Sequence, residues 1–582
     1  MAHKTGEKAQ GIEPGAFFGK ISFARRYKTM RYFTIRKQYL FPSYTIDVKE
    51  SEKLDRFLQL LEKSGVAEVI RSVVPEQADT MGRPAYNQYD LLAVILYGFA
   101  FGGGSLREIE SACRNDLRYI SLMQQEQPNF KTISNYINRY IVPNADMIFS
   151  KIVSAIFLEC GICADDVYND GTKIEADANK YKFVWKPTTF HNRLCDKVRT
   201  LLQINGLERG IPEFGIIDTK LIAAKLTEFS ELLQRCSPAE EKKRREQYEQ
   251  LRKYLLKALE YEEKERICGP DRNSYYKTDH DATAMTLKTD YYSGLGSHMH
   301  AAYTVQTAVA KGFVAAYYVS QSRTDMKDFI PTMERFRKFH GYYPKNICTD
   351  SGYGSIENYR YLQENGIGNY VKHQSWQGNV SGSNPDRYRL QDDETILCLG
   401  GRTGKQSPAN GRHPKMAESV FYRVDGCCDC AFHEYCKRWQ REKTEDFKIF
   451  EVNKEMRRYI QEAEKNLLSP KGIEIRINRS IQAEGAFGVL KQNMRYVRVR
   501  RTSKEKVSTK IMLTLLGYNI RKLFRYFSGN LKANYWTAPS NLEQEEFKKP
   551  HAARLSKKAK TKKNKFVNEA ARYSYKEKYK EH

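Results

Sequence analysis

The sequence predicts an α/β protein built around a mixed sheet, with helices before the sheet and insertions within it. Three stretches predict the sheet. Residues 161–186 have the pattern of a strand entering a loop, residues 298–320 that of two strands joined by a tight turn at Lys311-Gly312, and residues 346–372 that of a strand, a helix and a strand. Strands that alternate with helices in this order indicate a mixed α/β sheet.

The chain has 582 residues, which is too long for one domain. Changes in composition and periodicity predict six segments. They are a basic N-terminal arm and helix (1–82), a helical module (83–160), the first part of the core (161–372) with a helical insertion (190–266), a Cys-rich insertion (373–465), the C-terminal helices of the core (466–530), and a basic tail (540–582) that we expect to be disordered when free.

The helical module at 83–160 is open to two interpretations. Two short helices, the second opened by polar residues around Thr132 and Ser134, fit a helix-turn-helix that binds DNA. An ordinary helical bundle explains the same pattern equally well.

The composition points to a polyanionic partner. Lys and Arg number 97 against 70 Asp and Glu, which gives a formal net charge of +27. Nucleic acid is the simplest partner for such an excess, and an acidic membrane surface is the alternative. No run of about 18 apolar residues is present, so we expect no membrane span. Twelve cysteines in a chain of this length do not form a secreted disulfide scaffold, and we expect a cytoplasmic protein.

Three acids stand out by position. Asp170 lies where a strand meets a glycine, Asp350 ends a short apolar strand before Gly352, and Glu484 lies on a late helix with Lys491 seven residues on. Sites in open α/β sheets form at strand ends, and carboxylates suit divalent cations that act on a phosphodiester. Aspartate beside glycine in a turn is also common without any catalytic role.

The helix that carries Glu484 lies in a basic stretch. Ala483, Phe487, Leu490 and Met494 recur at helical spacing and predict a buried stripe. Two turns of an α-helix bring Glu484 and Lys491 to one face, where a solvated pair is the simplest explanation. Six arginines flank this single carboxylate and favour a site for a metal and a phosphate. They are Arg476, Arg479, Arg495, Arg498, Arg500 and Arg501.

Four motifs resemble those of bacterial insertion-sequence transposases of the DDE type. The stretch from Asp170 to Ala176 resembles their first-aspartate motif, Asp350-Ser351-Gly352-Tyr353 their second, Arg479 to Lys491 their glutamate helix, and Gly517-Tyr518-Asn519-Ile520 their closing helix. The segment from Gly82 to Gly171 is similar to their helical N-terminal module. The resemblance runs in order from about residue 82 to 528, and it is strongest to the group numbered eleven-eighty-two.

The resemblance implies an RNase H-like core and a DNA transposase that cuts and joins DNA at the terminal inverted repeats of its own element. It implies that Asp170, Asp350 and Glu484 are catalytic and hold magnesium, for which manganese can substitute. Lys491 and Arg479 would contact DNA phosphate. The implied partners are double-stranded terminal repeats and target DNA, bound by a homodimer in the bacterial nucleoid. The rivals are a catalytically silent DNA-binding descendant of a transposase and an RNase H-like nuclease of another kind.

One spacing departs from the related pattern of Tyr, two residues, Arg, three residues, Glu, six residues and Lys. Glu484 and Lys491 fit it. The arginine position falls on Ser480, with Arg479 one residue early, and the tyrosine position falls on Ile477.

Cysteines in the 373–465 insertion predict a structural zinc site. Cys427 and Cys430 have the two-residue gap of a zinc knuckle, and Cys398 and Cys436 complete a set of four. Free or merely packed thiols are the alternative, because no second pair has the same gap. Trp185, just past the first motif, is expected either to pack in the core or to stack on a base.

Overall fold

The computed structural model describes residues 48–74, 85–235, 237–287, 298–376, 386–408, 413–414, 417–438, 445–494 and 496–527. The predicted basic tail, Arg495, and most of the predicted N-terminal arm therefore lie outside the described residues.

The N-terminal part of the described chain is helical. Its helices are α1 (Val48–Ser64), α2 (Val66–Val73), α3 (Gln88–Phe101), α4 (Leu106–Asn115), α5 (Leu117–Leu122), α6 (Phe130–Tyr136) and α7 (Ala145–Glu159), and a π-helical segment, Ile137–Ile141, extends α6. The sequence predicted one helix between residues 50 and 82, but Gly65 takes a positive φ of 64° and separates α1 from α2.

Six strands form the central sheet: β1 (Asp166–Glu175), β4 (Thr283–Thr286), β5 (Met299–Ala310), β6 (Phe313–Ser320), β7 (Asn346–Thr349) and β8 (Gly368–Val371). β5 runs antiparallel to β1, whereas β7 is parallel to β1 and β8 is parallel to β7. β4 and β6 both pair with β5. The mixed sheet confirms the predicted α/β class and is consistent with an RNase H-like core.

The predicted turn between β5 and β6 is present. Lys311 and Gly312 have φ values of 48° and 79°, the pair of positive angles that a two-residue hairpin turn requires. Beyond this hairpin, α11 (Phe329–His340) and α12 (Ile356–Glu364) follow β6 and β7 along the chain.

The insertion after β1 is a three-helix unit rather than the predicted helical hairpin. It comprises α8 (Thr188–Ile204), α9 (Thr219–Gln234) and α10 (Pro238–Cys268), and the pair of strands β2 (Phe183–Trp185) and β3 (Ser274–Tyr276) forms its base. The three helices share a small apolar core of their own that includes Val198, Phe229 and Leu251. The charged composition of α10 concealed this core, because α10 contributes only a narrow apolar stripe.

The Cys-rich segment folds as a five-stranded antiparallel sheet, which the sequence did not predict. Its strands are β9 (Tyr388–Leu390), β10 (Ile396–Cys398), β11 (Thr403–Ser407), β12 (Val420–Asp425) and β13 (Phe447–Val452), with the short helix α13 (His433–Lys437) before β13. Ile396, Tyr422, Val424 and Val452 form its apolar centre.

The chain ends in helices that close the core: α14 (Lys454–Leu468), α15 (Pro470–Arg479), α16 (Gly485–Gly488) and α17 (Lys504–Phe527). π-helical segments at Ser480–Glu484 and Val489–Asn493 flank α16.

The closing motif on α17 joins the helical module to the sheet. A Cβ on Gly517 would lie 2.4 Å from the carbonyl oxygen of Phe99, so only glycine lets α17 approach α3 this closely. Asn519 accepts a hydrogen bond from the Val314 amide and donates one to the Val314 carbonyl, each 2.9 Å long. One continuous apolar core therefore includes both the module and the sheet.

No single helix in the described part of the chain has the length and apolar character of a membrane span. Two strongly bent pairs, α3 with α4 and the extended α6 with α7, reach that length and character only when joined. Residues 90–100 of α3 are all buried within the protein itself.

Candidate active site at the strand ends

The pairing of β1 with β7 sets Asp170 and Asp350 side by side. The two strands are parallel, and Tyr168 is paired with Cys348. Asp170 and Asp350 each follow two residues later, so they lie level with each other. Cys348 is fully buried, and burial raises the pKa of its thiol to about 12, as expected for a core thiol rather than a nucleophile.

Glu484 reaches the same edge from the C-terminal helices. Ile475 and Ala483 pack with Tyr168 and Cys348 in one apolar cluster, which holds this helix against β1 and β7. The predicted buried stripe is present for Ala483, Phe487 and Leu490. The Glu484 carboxylate itself is 53% exposed and accepts a hydrogen bond of 3.1 Å from the Ser480 hydroxyl.

Arg479 lies between two of the three acids. One guanidinium nitrogen is 3.0 Å from Oε1 of Glu484, and another is 3.7 Å from Oδ2 of Asp170. The Arg479 side chain is only 8% exposed. In this structure the guanidinium is therefore an internal cation that contacts the acids, and its predicted contact with DNA phosphate stays a prediction.

The π-helical segment Ser480–Glu484 explains the unusual position of Arg479 in the sequence. Residues four apart lie above one another in an α-helix, whereas the hydrogen bonds of a π-helix join residues five apart. Arg479, five residues before Glu484, thus takes the place that the fourth residue has in a regular helix. The same observation corrects our assumption that two regular turns relate Glu484 to Lys491, because a second π-helical segment lies between them.

Lys491 is half-buried beside β1, where it lines a small cavity together with Thr172 and Ile174. Thr172 is two residues beyond Asp170, and alternate residues of a strand face the same side. Lys491 therefore lies along the same face of β1 as Asp170, displaced toward the end of the strand.

The other arginines do not surround Glu484 as the sequence led us to expect. Arg476 lies 5.2 Å from the ring of Trp376, and Arg498 pairs with Asp177 at 3.0 Å. Arg501 donates to the hydroxyl of Ser134 in the helical module. Among the arginines of this stretch that the structure describes, Arg479 is the one paired with Glu484.

The surroundings of Asp170 raise the pKa of its carboxyl to about 6. Burial is the main cause, and the charges of Asp350 and Glu484 add to it. Arg479 and the Gly171 amide, which donates a 2.9 Å hydrogen bond to Asp170, act in the opposite direction. The charges of Asp350 and Glu484 therefore lie near enough to Asp170 to act on its carboxyl.

The donor set fits a hard divalent cation, because carboxylate oxygens are the ligands that Mg²⁺ prefers. Within the described ranges, no group of three or more His, Cys, Asp or Glu side chains is placed to hold a metal ion. Arg479 supplies the positive charge between two of the acids instead. A cation shared by all three would require their side chains to move.

Sequence reasoning missed a fourth carboxylate, that of Asp325, in the loop after β6. A Cβ on Gly171 would lie 2.4 Å from Oδ1 of Asp325, which explains the glycine after Asp170. Gln306 donates a 2.7 Å hydrogen bond to Asp325 and accepts one from the hydroxyl of Tyr353. No sequence signal marked Asp325, because it lies five residues beyond the end of β6 at Ser320.

The predicted cysteines lie near one another in the five-stranded sheet. A Cβ on Gly400 would lie 2.6 Å from the sulfur of Cys430 and 3.7 Å from that of Cys398. Burial raises the pKa of the Cys436 thiol to about 11, and the neighbouring Cys430 and Cys398 contribute to the rise. Burial also raises the pKa of Cys427, again with contributions from Cys398 and Cys430.

Two features bear on zinc at these cysteines. The Arg402 amide donates to the sulfur of Cys398 at 3.3 Å, a contact that stabilises a thiolate. The described residues contain no group of three or more thiols, imidazoles or carboxylates placed to hold an ion, and this includes the four cysteines. Zinc binding therefore stays a prediction.

Trp185 does not pack in the core, which was one of its two expected roles. Its side chain is 45% exposed on β2, and the guanidinium of Arg323 lies 5.7 Å from its ring. Phe183, two residues earlier on the same strand, is 41% exposed.

The fold and the site define a class before any comparison is made: an RNase H-like mixed sheet in which Asp170 within β1, Asp350 just past β7 and Glu484 in the C-terminal helices lie near one another. Comparison with known families agrees. A model of the transposase DDE domain matches residues 398–524, and a model of a transposase domain, DUF772, matches residues 43–139. No curated protein and no solved structure matches the chain.

The two matches confirm the predicted family, an insertion-sequence transposase of the DDE type. The DDE match contains Glu484, Arg479 and Lys491, as well as the four cysteines, and the other match contains most of the helical module. Asp170 and Asp350 lie outside both. Assignment to the group eleven-eighty-two stays a prediction.

Proposed function

We propose that this chain cleaves DNA at the terminal inverted repeats of its element and joins the freed ends to target DNA. The observation that carries the proposal is the proximity of Asp170, Asp350 and Glu484, because the charges of Asp350 and Glu484 add to the burial that raises the pKa of Asp170. Concentrated carboxylates at the edge of a sheet are suited to cation-assisted phosphodiester chemistry.

Asp170, Asp350 and Glu484 would hold divalent cations, magnesium first and manganese as a substitute. Such cations, when bound, supply the charge that activates the attacking oxygen and stabilises the leaving oxygen of a phosphodiester. Asp170 has to be ionised to act as a ligand, and with a pKa of about 6 it is ionised in most molecules at pH 7.5. The Arg479 guanidinium pairs with both Glu484 and Asp170, and its charge partly offsets theirs before a cation binds.

Two reactions make up the proposed activity. In the first, water attacks the phosphorus at the end of the element, the bond from phosphorus to the 3′-oxygen breaks, and the water loses a proton as the 3′-oxygen gains one. In the second, the new 3′-hydroxyl attacks a phosphodiester of the target, and a target 3′-hydroxyl is released. Lys491, which lies along β1 beyond Asp170, is in position to contact the phosphate being attacked.

The assay for this proposal is magnesium-dependent nicking and joining of duplexes that carry the element's own ends. Joined products separate a transposase from a nuclease of another kind. The silent DNA-binding descendant has no supporting observation in this site, since all three acids are present. Binding of the ends without cleavage, over a range of Mg²⁺ and Mn²⁺ concentrations, would favour that descendant.

We propose in addition that Cys398, Cys427, Cys430 and Cys436 bind one structural zinc ion. The proposal rests on the position of Cys398 and Cys430 beside Gly400, on the effect of these two cysteines on the pKa of Cys427 and Cys436, and on the Arg402 amide that donates to Cys398. Zinc at this position would stabilise the five-stranded sheet and take no part in DNA cleavage.

A further inference from the structure

A groove of about 1460 Å³ lies between the helical module and the C-terminal part of the core. The side chains that line it include seven basic and two acidic ones. Basic side chains concentrated in one groove attract a polyanion, and the excess of positive charge over the whole chain is of the same sign.

One wall of the groove is the exposed face of α6 and its π-helical extension. Lys131, Asn135 and Asn138 are exposed on this wall at intervals of four and three residues, which is the spacing of one helix face. The opposite face of the same helix is buried through Ile133 and Tyr136. The helix therefore presents one cation and two amides to the groove from a rigid support.

The other wall comes from the segment that follows the glutamate helix. Arg500 is exposed, and Arg501 crosses to the first wall, where it donates a 3.1 Å hydrogen bond to Ser134. Burial lowers the pKa of Arg501, and burial together with Arg501 lowers the pKa of Lys510 to about 7. An anion bound in the groove would favour the charged forms of Arg501 and Lys510 and so raise the pKa of both side chains.

Two segments of chain link the groove to the candidate active site. Asp177, which lines the groove, lies two residues beyond the end of β1, the strand that carries Asp170. Asn493, which also lines the groove, follows Lys491 by two residues.

We propose that this groove binds the sugar–phosphate backbone of the terminal inverted repeat. The proposal rests on the proposed function, because it takes the site at Asp170 as the place of cleavage. It assigns Lys131 and Arg500, on opposite walls, as phosphate contacts.

Binding of the full chain to a duplex of its own end tests the proposal without cleavage, in EDTA. Lys131→Glu and Arg500→Glu are each expected to weaken binding about tenfold and to lower the slope of log affinity against log salt by about 1. The loss should be the same factor for an unrelated duplex, since backbone contacts carry no sequence information. Lys253→Glu, the same charge change on an exposed face of α10, is the matched control and should bind like the parent.

A second measurement keeps the protein unchanged. Uncharged methylphosphonates are placed one at a time along the end duplex, and those within the terminal inverted repeat should weaken binding while those outside it should not. Equal binding by parent, Lys131→Glu and Arg500→Glu, or no effect of methylphosphonates within the repeat, would contradict the groove as the binding site even if cleavage were observed. A parent that binds no end duplex would overturn the proposed function and the groove together.

Discussion

The carboxylates of the candidate active site and the cysteines of the five-stranded sheet are both brought together from distant parts of the chain, but by different means. Hydrogen-bonded register between β1 and β7 sets Asp170 beside Asp350. Short strands and turns bring the cysteines together, with Cys398 and Cys430 both beside Gly400. Arg479 pairs with two of the acids, whereas burial raises the pKa of the Cys427 and Cys436 thiols.

The difference indicates what each region does. The acid site is open to solvent on one side, where the Glu484 side chain is 53% exposed. A site that admits DNA has to be open in this way. The cysteines lie within a small sheet whose apolar centre is modest, where a bound ion would add stability. We therefore expect changes at the acids to alter chemistry far more than stability, and changes at the cysteines to do the reverse.

Replacing Asp350 by Ala should have the largest effect. We expect cleavage of end duplexes to fall by about a thousandfold or more, because a ligand of the proposed cations is lost. End binding and the melting temperature should match the parent, since Asp350 is exposed. Gel assays of cleavage and binding on the same preparation measure both. Retained cutting would remove Asp350 from the site.

Cys430→Ser should show the opposite pattern. We expect the bound zinc, one ion per chain in the parent, to be lost and the melting temperature to fall on the order of 5 °C. Zinc content by atomic spectroscopy and thermal unfolding measure these changes. Cys163→Ser, at an exposed cysteine far from this sheet in the chain, is the control. A parent without zinc would exclude the proposed ion.

Arg479→Gln should change how tightly the acids bind a cation. Without the guanidinium between Glu484 and Asp170, we expect Mn²⁺ to bind about tenfold more tightly, a change of about 1.4 kcal/mol. Titration calorimetry with Mn²⁺ and no DNA measures it directly. Arg476→Gln removes a charge that lies against Trp376 and should leave Mn²⁺ binding nearly unchanged. Weaker binding by Arg479→Gln would show that Arg479 organises the ligands instead.

The smallest effect is expected in the stability of Asp170→Asn, a variant that should also lose cleavage because it lacks a ligand of the proposed cations. Because its folded-state pKa is raised from 3.8 to about 6, Asp170 favours the fold when protonated, and this contribution is lost as the pH rises through 6. The amide should therefore raise the melting temperature by a few degrees at pH 8 and by less at pH 5. Asp350→Asn, at an exposed position, should change it little at either pH. Equal shifts of Asp170→Asn at both pH values would contradict the repulsion that we infer.

Sequence patterns predicted those parts of the molecule in which residue types and the spacing of apolar residues indicate the same structure. The β5–β6 hairpin was predictable, because Lys311-Gly312 interrupts two apolar runs. Asp350 was found because it lies where an apolar strand ends. Asp170 was found because it precedes a glycine, but the predicted strand end there was wrong, since β1 continues through Gly171 to Glu175 in pairing with β5. Their side-by-side placement depends on the pairing of β1 with β7, which no local pattern specifies.

Other features could not be predicted, each for a physical reason. The π-helical turn at Ser480–Glu484 leaves no clear mark in residue types, so the position of Arg479 seemed to depart from the pattern. The arginines after residue 495 are close to Glu484 in sequence, but the chain leaves the helix and carries Arg501 to the helical module. Asp325 is recognisable only by what it contacts, the backbone of Gly171 and the side chain of Gln306.

The most direct test of the central claim is magnesium-dependent cleavage of DNA carrying the element's own ends, with the parent, Glu484→Ala and Glu474→Ala compared. Glu474 is an exposed acid on α15 and controls for loss of a charge. We predict end-specific nicking by the parent and by Glu474→Ala, and none by Glu484→Ala, with equal end binding by all three. Cleavage by Glu484→Ala at the rate of the parent would contradict the assignment of the active site.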